Sequence, residues 1–197
     1  MPTFFENYRS SDLTFDSSSI YWTNPTNNQI YEVMMSWEQP IMEKMAEVCV
    51  SEGDDVLELG FGMGILSDAI QAKNPKTHTI VECHKDVIPK LQAWADGKSN
   101  VIVIEGMWTE VRDQYTSYNA ILHDTYADDH RHALKEYAEA YGKPNCKVSY
   151  WNNTGYKDNA STEYLRFENV TYHEVNVTPP SNKYYNNPIY NVPLAII

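Results

Sequence analysis

"ELGFGMGILSDAIQ", residues 58–71, sets three glycines in five positions, Gly60-Phe61-Gly62-Met63-Gly64, in a chain with eight glycines altogether. A short apolar run, "VLELG", precedes them and an amphipathic run follows, so the pattern reads strand, glycine turn, helix. Glycine lets a backbone turn sharply and approach a ligand closely, and a helix N-terminus presents unbonded N–H groups. The spacing is not G-x-G-x-x-G, because residue 65 is Ile and residue 67 is Ser. No G-K-[ST] follows either, which excludes a phosphate loop of the lysine-bearing kind. A nucleoside pocket remains. Such a pocket calls for an acid at the end of the next strand, where it accepts hydrogen bonds from both ribose hydroxyls. Glu82, in "IVEC", lies 22 residues beyond Gly60 and meets that requirement.

Outward from this turn, strands alternate with helices. "HTIVEC", "NVIVIEG", "YNAILHDTY" and "CKVSYW" read as strands. "MGILSDAIQAK", "KDVIPKLQAWA", a short "MWTEVRDQY" and "DHRHALKEYAEAYGK" read as helices. That alternation predicts βαβ units and a mostly parallel sheet with helices on both faces. Beyond Asn152, a loop-like stretch leads to "EYLRFENV" and "TYHEVNV", then a turn-rich link and "IYNVPLAII", consistent with antiparallel strands finishing the sheet. The apolar residues of 29–50 recur at helical spacing, with Pro40 breaking or kinking the run. Residues 1–27 read as an irregular arm, and 28–197 as one domain.

The chain has 197 residues and a formal charge of −12, which argues against non-specific nucleic-acid binding and an anionic membrane surface. No apolar run approaches the ~20 residues that span a bilayer, and the first residues do not read as a signal peptide. Cys49, Cys83 and Cys146 are scattered and odd in number, the pattern of reduced thiols in a cytoplasmic protein. The N-x-[ST] sequences at Asn152, Asn159, Asn169 and Asn176 read as coincidences of an Asn- and Thr-rich chain. "DDHRH" invites a metal site through Asp128, His130 and His132, but residues two apart do not share a helix face, and none is expected.

"ELGFGMG" followed by "VEC" resembles the first two motifs of class I S-adenosylmethionine-dependent methyltransferases. That cofactor has no phosphate, so no basic cradle is needed. The resemblance narrows along the chain: "VMMSWEQPIM", "EGMWTEV", "ILHDTY" and "PPSNKYYNNPIYNVPL" follow the order of the guanidinoacetate N-methyltransferase family, and related fungal arginine N-methyltransferases share "GFGMGI". It implies a Rossmann-like, doubly wound α/β fold with an antiparallel C-terminal strand and an N-terminal helical lid. It implies S-adenosylmethionine as cofactor, flanked by Met34 and Met42, with Gly60, Phe61, Gly62, Met63, Gly64, Ile65 and Leu66 as its loop. Glu82 would hold the ribose; Cys83, His84, Gly106, Trp108 and Thr109 would lie at the adenine.

The same resemblance gives Glu38 and Asp124 to a guanidinium, with Asn153 and Thr154 at the substrate's far end. Asp124 ends "AILHD", and open α/β sheets bind ligands at that carboxyl edge. A guanidinium is planar, charged near pH 7 and matched to carboxylates through paired N–H···O bonds. Its nitrogen is a poor nucleophile until a base accepts a proton, which casts Asp124 as base and Glu38 as anchor. The expectation is therefore a monomeric or homodimeric N-methyltransferase of a small guanidino compound, such as guanidinoacetate or arginine. A methyltransferase of another small molecule, or a catalytically silent S-adenosylmethionine-binding module, is the alternative.

Overall fold

The computed structural model of the chain describes residues 2–157 and 165–197. Strands β4 (Asp55–Leu59), β5 (Thr77–Glu82), β6 (Val101–Glu105) and β7 (Tyr118–His123) run parallel, as does β8 (Gly142–Tyr150) beside β7. β10 (Ile189–Ile196) lies antiparallel between β8 and β9 (Thr171–Asn176). The seven-stranded order is β6-β5-β4-β7-β8-β10-β9, so the sheet is doubly wound and its order reverses between β4 and β7. This is the parallel sheet with an antiparallel end that the sequence predicts.

Both faces are covered because the central strands carry apolar side chains on each side. On one face, α2 (Gln39–Cys49) buries Ile41, Met42 and Met45, and α3 (Ile65–Gln71) buries Leu66 and Ile70, against Val56, Leu122 and Tyr190. On the other, Leu134 and Ala138 of α5 (Leu134–Tyr141) pack with Trp108, Ile121 and Val148. α4 (Ile88–Ala95) buries Leu91 against Phe61 and Ile80.

Residues 2–27 depart from expectation, for they are not an irregular arm. Thr3 and Glu6 form a reciprocal capping box that starts α1 (Phe4–Ser10). β1 (Thr14–Phe15), β2 (Ser19–Asn24) and β3 (Gln29–Met35) then make an antiparallel sheet of their own. Trp22 pairs with Tyr31 across it, so the hairpin spans the boundary expected at residue 27. The expected helix over 29–50 is also corrected: 29–35 is strand, 36–38 a 3₁₀ turn, and only 39–49 α-helix. The cause is turn chemistry. Asn24 accepts the N–H of Thr26 on its side chain and those of Asn27 and Asn28 on its carbonyl, and Asn28 takes φ 55°, which closes the hairpin. Pro40 starts α2 rather than kinking it, its missing N–H being one of those a first turn leaves unbonded.

Two smaller helices also shrink. "MWTEVRDQY" yields a 3₁₀ turn at Arg112–Gln114, and "DHRHALKEYAEAYGK" becomes helical at Leu134 after a 3₁₀ turn at Arg131–Ala133. Of "EYLRFENV", residues 165–170 form no strand, while 163 and 164 and the Asn159 sequence lie outside the described residues. Among the described residues, no helix is long and apolar enough to cross a membrane.

Gly60 (φ +92°) passes directly against β7's end: a Cβ there would overlap the carbonyl oxygen of Asp124. At Gly97 (φ +77°) a Cβ would meet nothing. Gly97→Ala is therefore expected to cost about 1 kcal/mol, the conformational penalty alone. Gly60→Ala should cost more than about 3 kcal/mol, because backbone must also move. Urea denaturation of both variants beside the parent measures the difference.

Candidate functional site

The carboxyl ends of the parallel strands are stitched together by backbone. Gly60 N–H donates to Val81 (2.9 Å), Gly106 N–H to Glu82 (2.8 Å), Asp124 N–H to Leu59 (3.0 Å), and Trp151 N–H to His123 (2.9 Å). A cavity of about 270 Å³ lies along this edge at the β4–β7 reversal. Gly60, Gly62 and Gly106 line its floor; Val81, Cys83, Val87, Met107 and Trp108 make an apolar slot at one end. Phe5 and Tyr8 of α1, with Val33 and Met34 of β3, close over it.

Glu82 enters the cavity from the end of β5 with its carboxylate already oriented. Its Oε2 accepts the Phe61 N–H (3.0 Å), and its Oε1 those of Cys83 (2.7 Å) and His84 (2.8 Å). The glycine turn is pinned from both sides. Glu58, in β4 two residues before Gly60, accepts the hydroxyl of Ser67 in α3 (2.8–2.9 Å) and lies 2.7 Å from His78 Nε2, with all three side chains buried. Met34 Sδ accepts the Met63 N–H (3.2 Å), and a Cβ on Gly62 would strike that sulfur at 2.6 Å.

At the other end, Glu38 and Asp124 line the same cavity from separate elements, with Trp151, Asn153 and Tyr184 beside them. Glu38 is buried; its Oε1 accepts the Met35 N–H (2.7 Å) and the Tyr184 hydroxyl (2.6 Å). Burial holds Glu38 well above the usual carboxylate range, and the charge of Asp124 adds to this against the two hydrogen bonds. Asp124 is raised as well, by burial first and the charge of Glu58 second, with Arg131 opposing. Two acids that each resist ionisation in one cavity make a site that is stabilised by a cation.

Residue by residue, Met34, Glu38, Gly60, Gly62, Glu82, Cys83, Gly106, Trp108, Asp124 and Asn153 stand on the cavity wall. Met42 and Leu66 do not reach it, being drawn into the core between α2, α3 and the sheet. Phe61 packs its ring beneath the turn and reaches Glu82 through its N–H. Met63 contributes an N–H to Met34, Gly64 caps α3, and Ile65 faces a separate groove between α2 and α3. His84 is buried behind the wall, its Nε2 3.1 Å from the Tyr8 carbonyl. Thr109 lies off the wall with its carbonyl accepting the Tyr137 hydroxyl, and Thr154 turns its own hydroxyl onto Asn152. Burial and then the charge of Glu82 push the Cys83 thiol up to about 12, so it is no thiolate at neutral pH.

Phe5, Tyr8, Glu32, Tyr126 and Tyr184 also line the cavity and were not among the residues singled out from sequence, and Asp128, weighed there only as a metal ligand, lines it too. Asp128 sits outside any helix, where its Oδ2 accepts Trp108 Nε1–H (2.8 Å), His123 Nε2 (3.0 Å) and the Thr125 hydroxyl (2.9 Å). Its carboxylate thus fixes the wall of the slot instead of heading a metal site. The signal was Trp108 itself, since a buried indole N–H needs an acceptor.

A family model described as guanidinoacetate N-methyltransferase matches residues 16–185, which include every element of this cavity except α1. The chain belongs to that family. Among curated proteins, protein arginine N-methyltransferase 2 of Candida glabrata is 35% identical over 143 residues, covering 66% of this chain and 34% of that protein. Its namesake in Saccharomyces cerevisiae is 33% identical over 137 residues, covering 62% and 33%. This chain thus spans about a third of the length of those relatives. Among solved structures, Aeropyrum pernix fibrillarin with natively bound S-adenosyl-L-methionine superposes with a TM-score of 0.60 at 10% identity, over 94% of this chain and 98% of that one. Thermotoga maritima spermidine synthase gives 0.63 at 13%, over 94% and 72%. As a guanidinoacetate N-methyltransferase family member, the chain carries an S-adenosylmethionine-dependent methyltransferase domain of Rossmann-like fold.

The acid pair makes stability depend on pH. A carboxylate whose folded pKa is raised favours folding fully below its unfolded pKa, near 4, and that contribution is lost as pH rises through the folded value. Without ligand the protein should therefore lose thermal stability progressively between about pH 4 and about pH 8, by about 1 kcal/mol or more. Glu38→Gln keeps an acceptor for Met35 and Tyr184 without the charge, and should flatten that loss. Scanning calorimetry of both proteins across this range checks it.

Proposed function

We propose that this domain methylates a nitrogen of a guanidinium cation with S-adenosylmethionine as donor. One observation carries the reading: Glu38 and Asp124, both raised by burial, line the cavity that the glycine turn and Glu82 also line. The cradle fits the cofactor, since Gly60, Gly62 and Gly106 leave no side chain on the floor, and Glu82 offers an oriented carboxylate beside an apolar slot. S-adenosylmethionine supplies a methyl group on a positively charged sulfur.

Glu82 keeps one lone pair, on Oε2, beyond the three it gives to backbone N–H groups, and this suits a ribose hydroxyl. Trp108 offers its face to an adenine, held by Asp128. At the other end Glu38, its Oε1 taken up by Met35 and Tyr184, anchors the guanidinium on Oε2 through charge-assisted N–H···O bonding worth about 1.5–3 kcal/mol per bond when sheltered. Asp124 accepts at its carboxylate the proton that the nitrogen sheds as it is methylated. Its raised pKa strengthens it as a base, and the incoming cation restores its ionised form. A cytoplasmic setting agrees with three free thiols, two of them buried.

Two outcomes test this. Asp124→Asn should lower kcat by at least about 10³-fold while cofactor affinity changes little, and Glu38→Gln should act mainly through a raised KM for the guanidine. Cofactor binding without turnover of any guanidine or amine would instead mark a silent binding module. Guanidinium binding should also release protons and tighten as pH rises through neutrality, because the cation selects the ionised pair. Calorimetry in buffers of different ionisation enthalpy counts those protons.

A further inference from the structure

We infer that Arg131 is a positioning residue for the proton transfer, a fixed cation behind the cavity wall that keeps Asp124 ionised and so ready to act as a base. The inference rests on the reading above, in which an Asp124 oxygen takes the proton as the guanidine nitrogen forms its new bond to carbon. Within "DDHRH", Asp129, His130 and His132 are exposed, whereas the 3₁₀ turn at Arg131–Ala133 carries Arg131 into the interior. There Nη2 donates to the Trp151 carbonyl, and the guanidinium stands 5.8 Å from the Tyr150 ring centre, at the end of β8. Trp151 lines the cavity, and its N–H donates to the carbonyl of His123, the residue before Asp124. The guanidinium and the acid are thus fixed on one joint between β7 and β8.

A buried arginine with a carboxylate of its own would need no further account. Among the described residues, none lies within ion-pairing distance of Arg131, and its Nε has no acceptor. Asp128, three residues away, is taken up by Trp108, His123 and Thr125 on Oδ2 and by the His130 N–H on Oδ1. Burial works against the Arg131 charge, yet a guanidinium keeps its proton at neutral pH. An apolar side chain of similar volume in place of a buried charge is often neutral or stabilising, so packing gives no reason for an arginine here. Its field does. Asp124 faces Glu58 of β4, Glu38 of the 3₁₀ turn before α2, Tyr184, Tyr190 of β10, and Arg131. His123, its neighbour in the chain, turns its imidazole to Asp128, and Glu32, Glu82 and Asp128 line the same cavity. Of the groups Asp124 faces, Arg131 alone is positive, and it opposes the rise that burial and Glu58 impose.

The test separates the charge from the hydrogen bond in the whole chain. Arg131→Gln keeps a donor for the Trp151 carbonyl without the charge, and Arg131→Lys keeps the charge. Asp124 is titrated directly through the NMR resonance of its carboxyl carbon in isotope-labelled protein, assigned by its loss in Asp124→Asn, so the readout needs no substrate. The Asp124 midpoint should rise by at least about one pH unit in Arg131→Gln and stay within about half a unit of the parent in Arg131→Lys. The acid limb of kcat/KM for a guanidine should move up in pH by the same interval in Arg131→Gln. A glutamine variant with the parent's midpoint would overturn the inference and leave the guanidine reading intact. A lysine variant that moves as far as the glutamine one would overturn it too, because the arginine would then serve the Trp151 bond alone. In the parent, the Arg131 Nε resonance should titrate with the Asp124 midpoint; an Nε blind to that titration sinks the inference whether or not the variants fold. If the midpoints move as stated but no guanidine reacts, the counter-charge stands and the guanidine reading fails.

Discussion

The close passage of Gly60 against the Asp124 carbonyl is the constraint on which the site's geometry depends. β4 and β7 are the strands between which the sheet order reverses, and their ends diverge to opposite faces. A side chain at position 60 would push them apart. With none, the turn that floors the cavity and the acid that ends β7 share one rigid backbone joint, closed by Asp124 N–H on Leu59. Glu58 and Glu82 brace the same turn from beneath through Ser67 and the Phe61 N–H. The Glu82 end and the acidic end of the cavity are thereby set at a fixed separation, the condition under which alignment lowers a barrier.

That joint also brings charge where water is scarce. Asp124 lies within the field of Glu58, and Glu38 within that of Asp124. The protein holds this arrangement by hydrogen-bonding Glu38 on one oxygen, through Tyr184 and Met35, and among the described residues no cation stands on the cavity wall. A pair of acids whose desolvation outweighs their partners costs folding free energy, and stability given up at a cavity is a common signature of a binding site. A bound cation returns part of it, so affinity and the folding cost have one origin.

The glycine turn, Glu82 and Asp124 were legible in sequence because each depends on local chemistry: a turn only glycine makes, or an acid at a strand's end; Glu38 came from the family resemblance alone, since its surroundings read as helix. The alternation of strands and helices likewise followed from short apolar runs of the kind "VLELG" and "HTIVE". Met42 and Leu66 could not be separated from Met34 by type, since all are flexible or apolar side chains near the turn; only packing sends the first two to the core. The hairpin at 19–35 was hidden because Ile30, Val33, Met34 and Trp37 satisfy a helical period, while Asn24, Asn27 and Asn28 decide the matter through turn bonds. Tyr8 and Tyr126 meet at 4.8 Å between ring centres from parts of the chain 118 positions apart, a contact no local pattern encodes.

Asp128 shows how a polar residue can serve a cavity without serving its chemistry. Burial works against its charge, but the hydrogen bonds of His123, His130 N–H and Trp108 outweigh that and hold it below the usual carboxylate range. It stays ionised and keeps its acceptors on the indole and imidazole, which stand edge to face at 5.5 Å. An apolar residue there would leave two buried N–H donors unpaired, each costing about 1–3 kcal/mol. The network therefore makes the orientation of the Trp108 ring, and so the width of the slot beside Glu82, a property of the folded chain before any ligand enters.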